Sequence, residues 1–293
     1  MRILVTGGTG FVGSRLVDQL ANTHEIFVLA RKPGPTLSPR VRWLVQDLAE
    51  SRWSVELPAE IDAIVHLAQS AHFREFPARA MDIYSVSAET TMRLLDWGLK
   101  AGARNFVLGS TGGLYGASDQ AVAENDPLPE QRSQLGFYFA SKRAAELLAQ
   151  QYTGQINVAT LRFFFVYGAG QPAPMLIPRL VTSVKEGAPI FLHGENGIRL
   201  NPIHVDDAVG AISRALELSE SRLINVAGPE VTTLRRVVEE IGRQVGREPV
   251  FNVDKIAKPN HLVADISRMS RVLGAPKIGM KAGLAELIDA GRT

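Results

Sequence analysis

The chain has 293 residues, 45% of them hydrophobic, enough for a large core in one domain or in a large and a small one. With 32 Lys and Arg against 30 acidic residues, the net charge is +2 and no basic stripe marks a nucleic-acid surface; with no Cys, disulfides, thiolate catalysis and Cys-ligated metal are excluded. No apolar run approaches membrane-spanning length and the first strand begins at residue 2, so neither a membrane anchor nor an N-terminal signal peptide is expected, and the expected location is the cytosol.

Arg2, Ile3, Leu4 and Val5 predict a short buried strand. Thr6, Gly7, Gly8, Thr9, Gly10, Phe11, Val12 and Gly13 follow as a glycine-rich turn, and residues 14–20 carry apolar residues at helical spacing. A strand, a glycine turn and a helix form a dinucleotide-binding unit, in which the backbone approaches a pyrophosphate and the helix N-terminus supplies N–H groups and a partial positive charge. The spacing Gly7, Gly10, Gly13 is not that of the commonest dehydrogenases, so a tight turn that binds nothing is the alternative. Strands are predicted over 25–30, 42–47, 63–68, 105–110 and 158–162, and long helices over 81–101 and 138–152. This alternation calls for a parallel sheet covered on both faces. After residue 167 the texture changes: a loop over 168–174, a helix over 177–185, a helix opened by residues 203–207, a strand over 223–226, a helix over 232–242 and a final segment of short elements and turns. Asp206 and Asp207 suit a helix start.

Tyr138 and Lys142 share one helical face. A phenol has a pKa near ~10, and a neighbouring ammonium together with an oxidised nicotinamide would favour the phenolate. Such a pair can exchange a proton with a carbinol or carbonyl; the alternative is an ordinary Tyr and Lys on an amphipathic helix. Ser110 and Thr111 directly follow the fifth strand, where ligands of doubly wound sheets sit. Thr111 can orient a reacting oxygen, whereas Ser110 reads as a turn that caps the strand. His66 reads as a packed strand-end residue. His193 and His204 lack the sequence neighbours of a metal site, and no metal is expected. Arg199 suits a substrate diphosphate or plain solvation.

In this order, the glycine turn, the strand-end hydroxyl and the Tyr–Lys pair resemble the extended short-chain dehydrogenase/reductase family, its nucleotide-sugar epimerase/dehydratase group, over nearly the whole chain. The resemblance implies an α/β fold, a Rossmann-like doubly wound parallel sheet with a smaller C-terminal substrate-binding domain. Residues 1–167 would be the dinucleotide-binding domain, with 203–227 returning to it, and 168–202 and 228–293 the substrate-binding domain. It implies an NAD(P) cofactor held by Gly7, Gly10, Phe11, Val12, Gly13, Asp47, Leu48, Leu67, Ala68, Tyr138 and Lys142. Thr111, Tyr138 and Lys142 would be catalytic, and Thr111, Gly112, Phe165 and Arg199 would meet a nucleotide sugar. A homodimer is also implied, joined through the helices over 81–101 and 138–152.

Four departures refine this. Gly112 and Gly113 stand where the family's dehydratases carry Asp and Glu, which argues against water elimination. Phe165 replaces an asparagine near the substrate phosphates, and Ser87 an asparagine of the long helix. Arg31 and Lys32 end the second strand where NAD-preferring members have an acidic residue, which leans the cofactor towards NADP(H). The expected function is hydride transfer at a sugar carbinol or carbonyl carbon, by an epimerase or a reductase; a non-catalytic NAD(P)-binding scaffold is the alternative.

Overall fold

The computed structural model describes residues 1–35, 38–130 and 133–291. Its strands are β1 (Arg2–Thr6), β2 (Glu25–Ala30), β3 (Val41–Val45), β4 (Ala63–His66), β5 (Asn105–Thr111), β6 (Asn157–Phe163), β7 (Ile190–His193), β8 (Arg199–Leu200), β9 (Arg222–Val226), β10 (Thr232–Thr233) and β11 (Phe251–Asp254). Seven of them form one sheet in the order β3-β2-β1-β4-β5-β6-β9. β1 runs parallel to both β2 and β4, β2 to β3, and β4 to β5. The chain leaves β1 in one direction for β2 and β3 and in the other for β4, β5 and β6. The ends of β1 and β4 therefore flank the switch point where ligands of open α/β sheets bind. Ile3, Leu4, Val5, Ile64 and Val65 are fully buried, as strands covered on both faces require.

The helices are α1 (Phe11–Leu20), α2 (Ala80–Tyr84), α3 (Thr90–Lys100), α4 (Gly136–Gln150), α5 (Leu176–Glu186), α6 (Val205–Ala215), α7 (Leu234–Val245), α8 (Ser267–Val272) and α9 (Met280–Ala290). The helix expected over 81–101 is α2 and α3 joined through a π turn at Ser85–Glu89, in which Ser87 is buried. Among the described residues, no helix is long and apolar enough to cross a membrane.

Two compact units divide the chain. Met1–Leu114, Pro129–Arg162 and Val209–Ile224 make the first, and Tyr115–Leu128, Phe163–Ala208 and Asn225–Thr293 the second. In the first, Leu4, Leu29, Ile64, Leu94, Phe106, Ala145 and Ala149 share one core, so strand and helix faces close on each other. In the second, α5, α7 and α9 bring Leu180, Val184, Val238, Ile241, Leu284 and Ile288 together with Ile190 and Leu192 of β7. Thr233 caps α7 by accepting from the Arg236 N–H, so the helix expected from residue 232 begins at Leu234.

Four expectations change. β3 ends at Val45 rather than at 47: the Gln46 N–H still reaches the Ala30 carbonyl at 2.9 Å, but beyond it the chain turns, with the Gln46 side-chain amide donating to the Asp47 carbonyl at 2.9 Å and to the Glu50 carboxylate at 2.8 Å. α6 starts at Val205 rather than 203, since the Ile203 carbonyl instead accepts from the Tyr167 N–H at 2.9 Å. The final segment is more regular than expected, because α9 buries Leu284 and Ile288 over three turns. Two small sheets, β7 with β11 and β8 with β10, also join the second unit; their strands of two to four residues are too short for an alternating pattern to stand out.

Asn201, four residues before α6, is 2% exposed and bridges two chain segments. Its amide donates to the Ala264 carbonyl at 3.0 Å and accepts from the Ala264 N–H at 2.9 Å. Asn201→Ala leaves both backbone groups buried and unpaired, so chemical denaturation should show a loss of about 3 kcal/mol; an unchanged midpoint would contradict this account.

Candidate active site

The glycine turn is built by close approach. Gly7 has φ +73°, and a Cβ there would lie 2.7 Å from the Ala68 nitrogen. A Cβ on Gly13 would lie 2.1 Å from the Gly7 carbonyl oxygen. The turn is thus packed against the end of β4 and against the first turn of α1, and neither glycine can be replaced without displacing backbone. Gly10 caps α1 in an extended conformation and supplies no side-chain cap, so the first-turn N–H groups of half-buried Phe11 and Val12 suit an anionic pyrophosphate. The Thr6 hydroxyl accepts from the Ala68 N–H at 3.3 Å and meets His66 Nδ1 at 2.6 Å. His66 is fully buried, and burial, helped by the charge of Lys142, pushes its pKa down to about 3, so its ring is neutral.

Arg31 and Lys32 are exposed beyond the end of β2. Their loop returns to the glycine turn: a Cβ on Gly34 would lie 3.5 Å from the Thr9 methyl. Asp47 is half-buried and its carboxylate accepts from the Ala49 N–H at 2.9 Å; Leu48 is buried. Leu67 is half-buried and Ala68 buried, both against Gly7.

The proposed catalytic side chains meet at the end of β5. The Thr111 hydroxyl accepts from the Gly113 N–H at 3.1 Å and is close enough to the Tyr138 phenol to favour its ionised form. The phenol in turn donates to the Gln69 side-chain oxygen at 3.2 Å and sits among the rings of Phe73 and Phe139. Lys142 is 4% exposed, and its ammonium donates to the Gly109 carbonyl at 2.9 Å. Burial pushes the Lys142 pKa down to about 8, against the opposing pull of Glu146. Burial also pushes the Tyr138 phenol above its ordinary value, with the Thr111 hydroxyl acting the other way. In the protein alone, enclosure in an apolar site therefore outweighs the acidifying influence expected of Lys142.

Gly112 is buried and Gly113 half-buried. The Phe139 ring takes up the space beside Gly113, where a Cβ would lie 2.4 Å from the ring edge. Phe165 is half-buried beside the cluster of Tyr115, Phe164 and Ala264, with φ 45°, a left-handed conformation in which a bulky side chain costs about 1–2 kcal/mol. Arg199 is exposed; its guanidinium donates to the Asp119 carbonyl and its N–H to His261 Nδ1 at 2.9 Å.

Two readings are corrected. Ser110 does not cap a turn, because it lies inside β5 and its hydroxyl donates to Glu146 at 2.5 Å. His204 does have carboxylate neighbours, since α9 brings Glu286 to 3.4 Å from its Nε2 while Asp206 lies 3.7 Å from its Nδ1. The three form a group able to hold a metal ion, although His204 Nδ1 accepts from the Asp206 N–H at 3.4 Å, which is a cap of α6. Sequence reasoning missed Gln69, Phe139, Glu146 and Arg162. Only Glu146 carried a signal, its spacing of one turn beyond Lys142.

The model of the NAD dependent epimerase/dehydratase family matches residues 3–227. The chain is 29% identical to the Bacillus subtilis protein named "Uncharacterized UDP-glucose epimerase YtcB", covering 98% of this chain and 97% of that one. It is also 29% identical to a dTDP-4-dehydro-6-deoxy-D-allose reductase of a Streptomyces species, covering 97% and 94%. Among solved structures, MoeE5 in complex with UDP-glucuronic acid and NAD superposes with a TM-score of 0.83 at 28% identity, covering 100% of this chain and 99% of that one.

A lysine whose folded pKa of about 8 lies below its unfolded value destabilises the fold whenever it is charged. The penalty is complete below the folded value and vanishes above the unfolded one. Lys142→Met should therefore be more stable than the parent at pH 7 by about 2–3 kcal/mol, with the gap closing by about pH 10.5. A variant less stable than the parent at pH 7 would show that burial is not the dominant influence on this amine.

Proposed function

The chain belongs to the NAD dependent epimerase/dehydratase family, an extended short-chain dehydrogenase/reductase, and we propose that it transfers hydride reversibly at a carbinol carbon of a nucleotide sugar. The observation that carries this reading is the buried Lys142 ammonium, bonded at 2.9 Å to the Gly109 carbonyl of β5, the strand that ends at Thr111, and one turn along α4 from the buried Tyr138 phenol. The glycine turn fits the pyrophosphate of an NAD(P) cofactor, because Gly7 and Gly13 leave room for backbone approach. Bound, the cofactor supplies the hydride acceptor and, when oxidised, a positive charge. Gly7, Gly10, Phe11, Val12 and Gly13 hold its pyrophosphate, Asp47 and Leu48 its adenosine side, and Leu67 and Ala68 line it. Tyr138 removes the proton of the substrate hydroxyl during oxidation and returns it during reduction. Thr111 aligns that oxygen, and Lys142 favours the phenolate and holds the nicotinamide ribose.

The first unit is the cofactor-binding body in this reading, and Phe165 and Arg199 are proposed to bind substrate. Relatives named as a UDP-glucose epimerase and as a dTDP-sugar reductase support both outcomes of the chemistry. A dehydratase is disfavoured: Gly112 and Gly113 offer no acid or base, and Phe139 fills the space beside Gly113. The exposed apolar side chains Met81, Tyr84, Leu99 and Leu147, on α2, α3 and α4, support a homodimer through these helices.

A non-catalytic scaffold would need none of Thr111, Tyr138 and Lys142. Tyr138→Phe should therefore lower kcat on UDP-glucose, UDP-glucuronic acid or a dTDP-4-keto sugar, whichever the parent converts, by at least about 100-fold with little change in KM. Parent-like turnover would refute the assignment.

Arg31 and Lys32, exposed on a loop that returns to the glycine turn, support a preference for the 2′-phosphate of NADP(H). Isothermal titration should find NADP(H) tighter than NAD(H) by about 10-fold or more, with Arg31→Ala erasing most of the gap. Equal affinities in the parent would overturn the preference.

A further inference from the structure

Behind the proposed catalytic side chains lies a second polar cluster that the mechanism does not use. Glu146 is 7% exposed, Ser110 6% and Arg162 2%. Arg162 grips the Glu146 carboxylate with both prongs, Nε to Oε1 at 2.9 Å and Nη2 to Oε2 at 2.7 Å. The Ser110 hydroxyl donates to Oε1 at 2.5 Å, and Arg143 approaches Oε2 at 3.9 Å from the rim. One carboxylate thus ties together α4, which carries Tyr138 and Lys142; β5, which carries Thr111 and the Gly109 carbonyl; and β6. Tyr138, Lys142 and Glu146 follow at four-residue steps along one face of α4.

We propose that Glu146, anchored by Ser110 and Arg162, is a positioning residue that clamps the end of β5 to α4 and keeps the Lys142 side chain in its ammonium form. The proposal rests on the functional reading above and adds to it the group that sustains the lysine's charge. Ser110 adjoins Thr111, so the clamp fixes the strand end that presents the Thr111 hydroxyl. The ionisable groups around Lys142 are few. Tyr138 is on its own helix, one turn back, and its phenol is kept protonated by burial. His66 of β4 is neutral. The π turn presents the buried residues Ser85, Val86, Ser87 and Ala88, and its Glu89 is engaged by the Ser85 hydroxyl and by Arg93 of α3; Asp82 of α2 accepts from the Ser70 hydroxyl. Arg162 of β6 is engaged by the Glu146 carboxylate. Among the described residues, the Glu146 carboxylate is the charge that opposes burial there. A buried ion pair of this kind adds little stability over an apolar pair of the same shape, so a role in holding charge and geometry accounts for its place better than stability does.

The test follows the Lys142 side chain by NMR in protein labelled with carbon-13 lysine, its signal assigned with Lys142→Met. The parent should titrate at about 8. In Glu146→Gln the midpoint should fall by about one pH unit, because burial then acts unopposed. Glu146→Asp retains the charge and should return the midpoint to near the parent value. Glu146→Gln can suffer from an orphaned Arg162, so Glu146→Gln with Arg162→Met removes both charges and leaves no unpaired cation; it too should titrate below the parent. A parent midpoint in the folded double variant, or a fallen midpoint in Glu146→Asp equal to that of Glu146→Gln, would overturn the proposal. These readings need no turnover. Loss of the functional reading, seen as parent-like activity in Tyr138→Phe, is thereby told apart from loss of this one.

Discussion

An ammonium shut inside the protein is the constraint around which the first unit is arranged. Moving such a charge out of water is costly unless it finds partners, and among the described residues Lys142 donates to the Gly109 carbonyl at 2.9 Å. Much nearby follows from accommodating it. The neighbouring His66 is held neutral, its Nδ1 paired with the Thr6 hydroxyl. Gly109 allows β5 to press against β4, where a Cβ would crowd Leu67 at 3.0 Å and the His66 carbonyl at 3.2 Å. The amine is not there for stability; it makes the switch point of the sheet electrically asymmetric, with a proton-holding group beside a phenol that burial keeps protonated.

The second unit solves a different problem. Its sheets have only two strands each, so the backbone has few ladders in which to satisfy its polar groups. Buried side-chain amides and a carboxylate do that work instead. Asn201 pairs with both backbone groups of Ala264. Asn225 donates to the Val122 carbonyl at 2.9 Å and accepts from the Tyr115 hydroxyl at 2.8 Å, while Glu124 accepts from the Asn225 N–H at 2.9 Å. The stretch around Asn201 therefore acts as a fastener for irregular chain.

Much of the first unit was legible in the sequence because its cause is local. Apolar runs such as those around Ile3 and Ile64 suit a strand covered on both faces, and the glycines at 7 and 13 mark a turn whose backbone leaves no room for a Cβ. The Tyr138 and Lys142 pair was legible because helical spacing alone puts both on one face. What escaped depends on partners distant in the chain. α9 is stable through contacts with α7, and Glu286 reaches His204 only because α9 packs where it does. The bond from Ser110 to Glu146 joins a strand to a helix, and nothing near Ser110 announces it. The π turn at Ser85–Glu89 left no mark on the apolar pattern that predicted one long helix.

The ring of Phe139 beside Gly113 has an evolutionary consequence. A side chain added at 113 alone would collide with that ring, its Cβ 2.4 Å from the edge, while trimming Phe139 alone would open a void next to the Tyr138 ring. Each step by itself is a loss, and only the two together make room for a new acid or base. A lineage carrying this pair faces reciprocal sign epistasis on any path from hydride shuttling to water elimination, so one local packing choice helps hold the reaction type of the descendants in place.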